Sequence, residues 1–193
     1  MKRFTAHIQH THDTILRMFC VMDDTFFFKR KLLMAFGGMA LAVMGVWNME
    51  SIAGLLMLMI GCWLRASLNL PAKNQADNIK KALGGQYPAN KYEFFDKNFV
   101  LYAQNQDVVT YDKIRYLIED EGYCYLCLNE QASYMLEKAS LGTELDKFKA
   151  FMEKVTGLKW KRPYRLSTFN IRHILELLGG GKNAKSRKQK KSK

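Results

Sequence analysis

The chain has 193 residues and a formal net charge of +12, from 30 lysines and arginines against 18 aspartates and glutamates. The charge is unevenly placed, because residues 159–193 hold twelve basic residues against one acidic residue. The basic character therefore belongs to a C-terminal appendage. The overall net charge alone does not indicate that the rest of the chain binds nucleic acid. The length leaves room for one modest soluble domain beside a membrane segment.

Residues 1–30 are predicted to form an N-terminal strand and an amphipathic helix. Residues 4–9 alternate weakly between apolar and polar side chains, which favours a short strand. Residues 10–28 follow with helical spacing, and one face carries Ile15, Met18, Phe19 and Met22. Two placements of this helix stay open, along the membrane surface or packed on the soluble domain. The N-terminus has no early apolar region, so no cleavable signal peptide is expected.

Residues 31–70 are predicted to form a transmembrane helical hairpin. Residues 32–49 contain no charged side chain, and after Glu50 a second uncharged run covers residues 51–64. A spanning helix needs about 20 mostly apolar residues and tolerates roughly 17. Small residues along both runs are expected to pack the hairpin against itself or against a second copy, namely Gly38, Ala42, Gly45, Gly54 and Gly61. The alternative is a buried core helix of a soluble protein.

Basic residues flank the two apolar runs, whereas the connecting turn has none. Lys29, Arg30 and Lys31 precede the first run, and Arg65 follows the second. The positive-inside rule then places both termini in the cytoplasm and the turn on the opposite side. We therefore expect a multi-pass protein of the cell (plasma) membrane, with reduced thiols at its cytoplasmic cysteines.

Residues 71–90 are predicted to be a polar linker and residues 91–158 a cytoplasmic domain. Short aromatic and β-branched runs separated by turn residues are typical of an antiparallel β-meander. A helix follows from Thr143, with an apolar face made by Leu145, Phe148, Met152 and Val155. The predicted fold class is therefore an α+β membrane protein, with a two-helix transmembrane hairpin and a small antiparallel β-sheet domain capped by a C-terminal helix.

The chain resembles the YcxB-like family over roughly residues 30–158. The residues that carry the resemblance are Tyr92, Phe94, Asp96, Phe99, Tyr111, Asp112, Lys113, Ile114, Glu119, Tyr134, Met135 and Lys138. The family usually has proline before this lysine, where the chain has Glu137. The resemblance implies a membrane hairpin carrying a cytoplasmic domain similar to the pleckstrin-homology (PH) fold. It transfers no catalytic residue and implies structural roles for the motif positions Asp96, Tyr111, Asp112, Ile114 and Lys138.

Residues 159–181 are predicted to be a basic amphipathic helical extension, with a helix over residues 167–178, and residues 182–193 a disordered basic tail. The predicted contacts with anionic lipid headgroups are Lys29, Arg30, Lys31, Lys161, Arg162, Arg165, Lys185, Arg187, Lys188, Lys190 and Lys191. Each basic side chain near an anionic leaflet contributes about 1 kcal/mol. RNA or DNA is the rival partner, and a solvated tail without a partner is the remaining alternative.

Three clusters could suggest metal or acid–base chemistry, and each has a plainer interpretation. Cys124 and Cys127 form one CxxC in a predicted strand, which is at most half of a zinc site. Three histidines near the N-terminus, His7, His10 and His12, lack the further ligands that zinc needs. Residues 119–121 are interpreted as a solvated charged turn. No metal or cofactor is therefore expected.

The leading functional hypothesis is a non-enzymatic, membrane-anchored binding or regulatory module. Its expected partners are the membrane and anionic headgroups, together with a protein partner or a second copy of the chain. An enzyme is the competing hypothesis, and it requires convergence in one cleft of Asp96, Asp112, Glu119 and Lys138. A small transporter subunit is disfavoured because neither apolar run holds an intramembrane charge.

Overall fold

Eight strands and six helices form in the described part of the chain, residues 1–103 and 106–163 of the computed structural model. The strands are β1 (Phe4–Gln9), β2 (Ala89–Phe94), β3 (Asn98–Tyr102), β4 (Gln106–Thr110), β5 (Tyr116–Glu119), β6 (Tyr123–Cys127), β7 (Ser133–Glu137) and β8 (Trp160–Lys161). The helices are α1 (His12–Phe26), α2 (Phe28–Trp47), α3 (Ile52–Ala66), α4 (Leu70–Ala82), α5 (Lys138–Leu141) and α6 (Leu145–Thr156). The α+β class predicted from the sequence is confirmed.

The strands form two four-stranded sheets that share one core. The first sheet has the order β1-β2-β3-β4 with antiparallel neighbours, and the second has the order β7-β6-β5-β8, in which only the β5–β8 pair is parallel. Helix α6 buries Phe148 and Met152 completely in this core. The ring of Phe148 makes edge contacts with Phe4 and Phe94 of the first sheet, so α6 closes the core as the predicted capping helix does.

Strand β1 belongs to the sheet domain, which changes the predicted domain boundary. It pairs antiparallel with β2 over its whole length, from Phe4 opposite Phe94 to Gln9 opposite Ala89. Its inward side chains, Ala6 and Ile8, are at most 2% exposed. The sheet domain thus begins before the helical hairpin and continues after it, instead of beginning at residue 91. The alternation that predicted a strand gave no information about its partner, because the two strands are some eighty residues apart in the chain.

Helix α1 packs against α4 and against the core of the sheets, so of the two predicted placements, on the membrane surface or on the soluble domain, the second is observed. Thr11 caps it, and its hydroxyl accepts a hydrogen bond from the Thr14 N–H at 3.2 Å. One face, with Ile15, Phe19 and Met22, packs against α4 in a small apolar cluster. Val21 lies on the other side, in the core of the sheets. The helix therefore lies on the soluble domain.

The predicted linker at residues 71–90 is wrong for its first part, since α4 occupies Leu70–Ala82. Pro71 lies in the first turn of this helix, where a missing N–H costs nothing. The buried face of α4 is made of Ala72 and Ala76, which are at most 2% exposed. Alanine is only weakly apolar, so a buried face made of alanine does not stand out in the hydropathy pattern. The many polar side chains of this segment therefore led to the prediction of a linker.

Helices α2 and α3 form the predicted helical hairpin. Within the described residues, two helical segments are long and apolar enough to cross a membrane, Phe28–Trp47 and Ile52–Ala82, the second combining α3, a 3₁₀ turn and α4. Only 22% and 17% of their most apolar windows are buried. Most of the large exposed apolar side chains of the described chain lie between Leu33 and Leu70.

Small residues bring the backbones of α2 and α3 together, as the sequence predicted for a hairpin packed on itself. A Cβ atom on Gly45 would lie 2.5 Å from the backbone nitrogen of Leu58. A Cβ atom on Gly61 would lie 2.6 Å from the backbone nitrogen of Ala42. Both distances are too short for any side chain, so the close approach of the two helices requires glycine at these positions.

Candidate functional site

The base of the hairpin is where the soluble domain meets the apolar helices. Helix α1 ends at Phe26 and α2 begins at Phe28, with the intervening Phe27 at φ −113° and ψ 20°. Because these angles are not helical, the chain bends between the two helices. The bend places the acidic last turn of α1 beside the basic first turn of α2. The hairpin base is accordingly a cluster of opposite charges.

Lys31 is buried in this cluster, and its predicted contact with lipid headgroups is wrong. The residue is 2% exposed. Its Nζ atom lies 2.6 Å from an Asp24 carboxylate oxygen and 3.2 Å from an Asp23 carboxylate oxygen. It also donates a hydrogen bond of 3.3 Å to the side-chain oxygen of Asn69, next to the start of α4. The side chain turns inward because two carboxylates and an amide compensate its lost hydration.

The other two basic residues of the predicted flank keep access to solvent. Lys29 is exposed. Arg30 is half-exposed, lies 3.6 Å from an Asp23 oxygen and stacks on the Phe27 ring at 4.8 Å from its centroid. These two positions are therefore accessible from solvent, and the predicted lipid contact of each stays a prediction.

The predicted basic extension begins as a strand. Trp160 and Lys161 form β8, which pairs with Leu117 and Ile118 of β5, and this part of the predicted helical extension is wrong. Lys161 is exposed, and its Nζ atom lies 5.4 Å above the centroid of the Tyr116 ring. Arg162 is exposed after it. The helix predicted at residues 167–178, the tail at 182–193 and six predicted lipid contacts lie outside the described residues, namely Arg165, Lys185, Arg187, Lys188, Lys190 and Lys191.

Two of the positions that carry the predicted resemblance, Tyr111 and Asp96, hold the turn between β2 and β3. The Tyr111 hydroxyl donates to the carbonyl oxygens of Phe95 and Asn98, at 2.7 and 3.0 Å, and so holds the β2–β3 turn. Asp96 in that turn accepts a 2.7 Å hydrogen bond from Arg3, and the N-terminal amine lies 3.6 Å away. Ile114 is buried, whereas Asp112 is exposed.

Of the four residues that an enzyme would need in one cleft, the structure brings together only Glu119 and Lys138. Their carboxylate and Nζ atoms are 2.7 Å apart, and Lys149 binds the other oxygen of Glu119 at 2.8 Å. Burial alone would raise the pKa of Glu119, but hydrogen bonds from the two lysines outweigh it and lower the pKa. Asp96 has its own partners at the β2–β3 turn. Glu119 and Lys138 thus form one charge group with Lys149, and Asp96 belongs to another at the β2–β3 turn.

Asp120 is buried, and its predicted place in a solvated turn is wrong. One carboxylate oxygen accepts hydrogen bonds of 2.8 Å from Arg17 of α1 and from the Tyr125 hydroxyl. The other accepts from the backbone N–H groups of Gly122 and Tyr123, at 3.1 and 3.0 Å. Burial alone would raise the pKa of Asp120, but the hydrogen bonds from Arg17 and Tyr125 outweigh it and lower the pKa. The Asp-Glu-Gly turn was the only local signal, because an aspartate in this position accepts from the following N–H groups.

The clusters with metal-binding residue types are dispersed or buried. His10 is buried beside Asn90, and His12 lies near Asp77 and Tyr87, so the N-terminal histidines face different partners. The two cysteines of the CxxC, Cys124 and Cys127, are fully buried, and burial raises the pKa of each thiol to about 12. Residues 1–103 and 106–163 contain no group of three side chains that could hold a metal ion.

No protein-family model, curated protein or solved structure matches the chain. The resemblance to the YcxB-like family therefore stays a prediction carried by the motif residues themselves.

Proposed function

We propose that the protein is a membrane-anchored, non-enzymatic binding or regulatory module of YcxB-like type, whose soluble domain has a PH-like architecture. The observation that carries the proposal is the pairing of β1 with β2, because these strands precede and follow the hairpin. A domain whose first sheet needs both strands is attached to the hairpin at two points. Such an attachment suits a domain that acts at the membrane surface.

The exposure of the hairpin supports its place in a membrane. A core helix of a soluble protein is mostly buried, whereas the apolar windows here are 22% and 17% buried. Helix α2 has 20 residues and is therefore about 30 Å long, comparable with the hydrocarbon thickness of a bilayer. Trp47 and Trp63, at 85% and 64% exposure, lie near opposite ends of the apolar region, where interfacial aromatic residues concentrate.

The sheet pairing also supports a common side for the two ends of the hairpin. Because β1 and β2 are hydrogen-bonded partners, the chain returns to the side from which it entered. Lys29, Arg30 and Arg65 lie at this end of the helices, and the turn at the other end has Glu50 as its charged residue. The positive-inside rule makes the basic end cytoplasmic. Both termini and the soluble domain are then cytoplasmic.

Two four-stranded sheets closed by a C-terminal helix support the PH-like architecture. The charged side chains discussed above are largely paired with each other, which fits a binding surface better than an active site. The exposed edge of the first sheet is β4, where Val108 is 55% exposed. An exposed edge strand can accept an extended peptide by adding it to the sheet. The partner is thus a protein or peptide, with anionic lipid beneath it.

Alkaline washing of membranes tests the attachment. We expect the full chain to stay in the membrane pellet, because two apolar helices are not released by loss of charge contacts. Recovery in the wash would overturn the proposal.

The role of the basic tail is tested separately. The measurement is the rate at which trypsin cleaves at the lysines and arginines of residues 164–193 when the protein is in vesicles of neutral or anionic lipid. We expect slower cleavage on anionic vesicles, and protection only by added RNA would favour the nucleic-acid alternative.

A further inference from the structure

A pocket of about 560 Å³ lies between the end of α1 and the base of the second sheet. Phe26 forms one wall, Arg115 and Tyr116 at the start of β5 form another, and residues 128–131 in the β6–β7 loop form the third. This volume is within the range of small-molecule sites. The functional roles derived above make no use of it.

The lining of the pocket includes one cation, Arg115, and one anion, Glu130. Arg115 and Glu130 are both exposed, and neither makes an ion pair with another of the described residues, 1–103 and 106–163. The loop that carries Glu130 is held in shape by Asn129, whose side-chain oxygen accepts hydrogen bonds of 2.8 Å from the N–H groups of Gln131 and Ala132. The anion is therefore presented by a pre-formed turn, which lowers the cost of ordering on binding.

Two aromatic rings line the pocket beside these charges. The rings of Phe26 and Tyr116 meet edge to face, with their centroids 5.2 Å apart. Lys161 adds a second cation over the Tyr116 ring. Phe26 is the last residue of α1, and the apolar helix α2 begins two residues later. The pocket therefore lies next to the base of the hairpin, near the level where the headgroups of a surrounding bilayer would lie.

We propose that this pocket binds the headgroup of a zwitterionic phospholipid of the phosphoethanolamine class. Arg115, with Lys161 nearby, binds the phosphodiester, and Glu130 binds the primary ammonium group. The opposite charges of the pocket match those of the headgroup, whereas a purely anionic headgroup would leave Glu130 facing negative charge. The proposal rests on the membrane attachment proposed above and deepens it, since it names a lipid that the soluble domain recognises.

Native mass spectrometry of the full chain, released from micelles with equal amounts of phosphatidylethanolamine and phosphatidylglycerol, tests the proposal. The basic tail is expected to bind phosphatidylglycerol, so the pocket is tested by the adducts of phosphatidylethanolamine. Arg115→Gln should reduce these adducts roughly tenfold, because the phosphodiester loses its charged hydrogen-bond donor. Glu130→Gln should also reduce them, because the ammonium group loses its carboxylate, whereas neither substitution should reduce the adducts of phosphatidylglycerol. Both residues are exposed, so the variants keep the packing of the wild type.

Lys97→Gln and Glu121→Gln are the matched controls, since both residues are exposed and lie outside the pocket. Pocket variants that bind phosphatidylethanolamine as well as the controls do would overturn the proposal. Equally good binding of soluble glycerophosphoethanolamine would assign the pocket to a soluble ligand and overturn the lipid assignment. A chain that stays in alkali-washed membranes but whose phosphatidylethanolamine adducts do not fall in the pocket variants refutes this inference alone, whereas release by alkali refutes the proposed function.

Discussion

Single buried charges join helix α1 to the sheets and to the hairpin. Asp120 accepts hydrogen bonds from Arg17, from Tyr125 and from two backbone N–H groups, and Arg17 also stacks on the Tyr123 ring at 5.1 Å. Lys31 binds two carboxylates at the other end of the same helix. Removing one partner of such a buried ion pair lowers the free energy of unfolding, because the other charge stays buried without compensation. Each of these residues therefore makes a specific prediction.

Asp120→Asn should destabilise the folded chain by about 2 kcal/mol, because an amide cannot serve as the ionic partner of Arg17 and must present two acceptors where it has one. The measurement is thermal unfolding of the detergent-solubilised protein. Glu121→Gln, one position along in an exposed site, should leave the unfolding temperature unchanged. Equal effects from the two substitutions would contradict the role given to Asp120.

The same carboxylate predicts a pH dependence. The pKa of Asp120 is lower in the folded protein than its ordinary value of 3.8. Its contribution to stability is therefore complete above that ordinary value and is lost as the pH falls through the lower, folded-state pKa. The difference in unfolding temperature between wild type and Asp120→Asn should thus be constant at neutral pH and shrink in acid. A difference that grows in acid would have the wrong sign.

Lys31→Met should destabilise the chain by about 3 kcal/mol, since it removes a buried cation that lies 2.6 Å from Asp24 and 3.2 Å from Asp23. Adding Asp24→Asn to this variant should recover part of the loss, because the repulsion between two neighbouring carboxylates is removed. Lys29→Met, at an exposed neighbouring position, is the control and should have little effect. If Lys31→Met unfolds no more readily than the control, the buried cluster at the hairpin base is not a structural element.

At the scale of elements, the contact between α2 and α3 depends on glycine. Gly45→Ala should weaken it by about 1–3 kcal/mol, because the added methyl group would lie 2.5 Å from the backbone of α3. Gly37→Ala is the matched control, since no atom lies within 4 Å of its added Cβ. The measurement is the unfolding temperature of each variant in detergent, which should be lower for Gly45→Ala than for Gly37→Ala. Equal values would show that the helices do not meet along this face.

Elements with strong local signals were predictable, and those defined by distant partners were not. Hydropathy predicted the hairpin, and alternation with turn residues predicted the antiparallel strands. The helical identity of α4 was missed because its buried face is alanine. The inward turn of Lys31 and the burial of Asp120 depend on side chains of other elements, Asn69 and Arg17 respectively. Residues this far apart in the sequence leave no local pattern.

At the scale of the whole molecule, a helical hairpin is inserted between the first two strands of one sheet. Helix α1 precedes α2 and helix α4 follows α3. These two flanking helices pack on each other at the base of the hairpin. Folding of the first sheet therefore requires that the chain has passed through the hairpin and returned. The sidedness, the anchoring and the headgroup pocket that we propose all depend on this arrangement.

Disulfide formation between His7→Cys and Lys91→Cys in alkali-washed membranes tests this arrangement most directly. The two residues are opposite each other in the β1–β2 pair, and both are exposed, so the substitutions disturb no buried contact. His7→Cys combined with Lys97→Cys is the control, since Lys97 lies outside the strand. We expect the first pair to cross-link within the membrane-bound chain and the control pair to stay reduced. Absence of the cross-link in the membrane fraction, or a chain found only in the alkaline wash, would contradict the account.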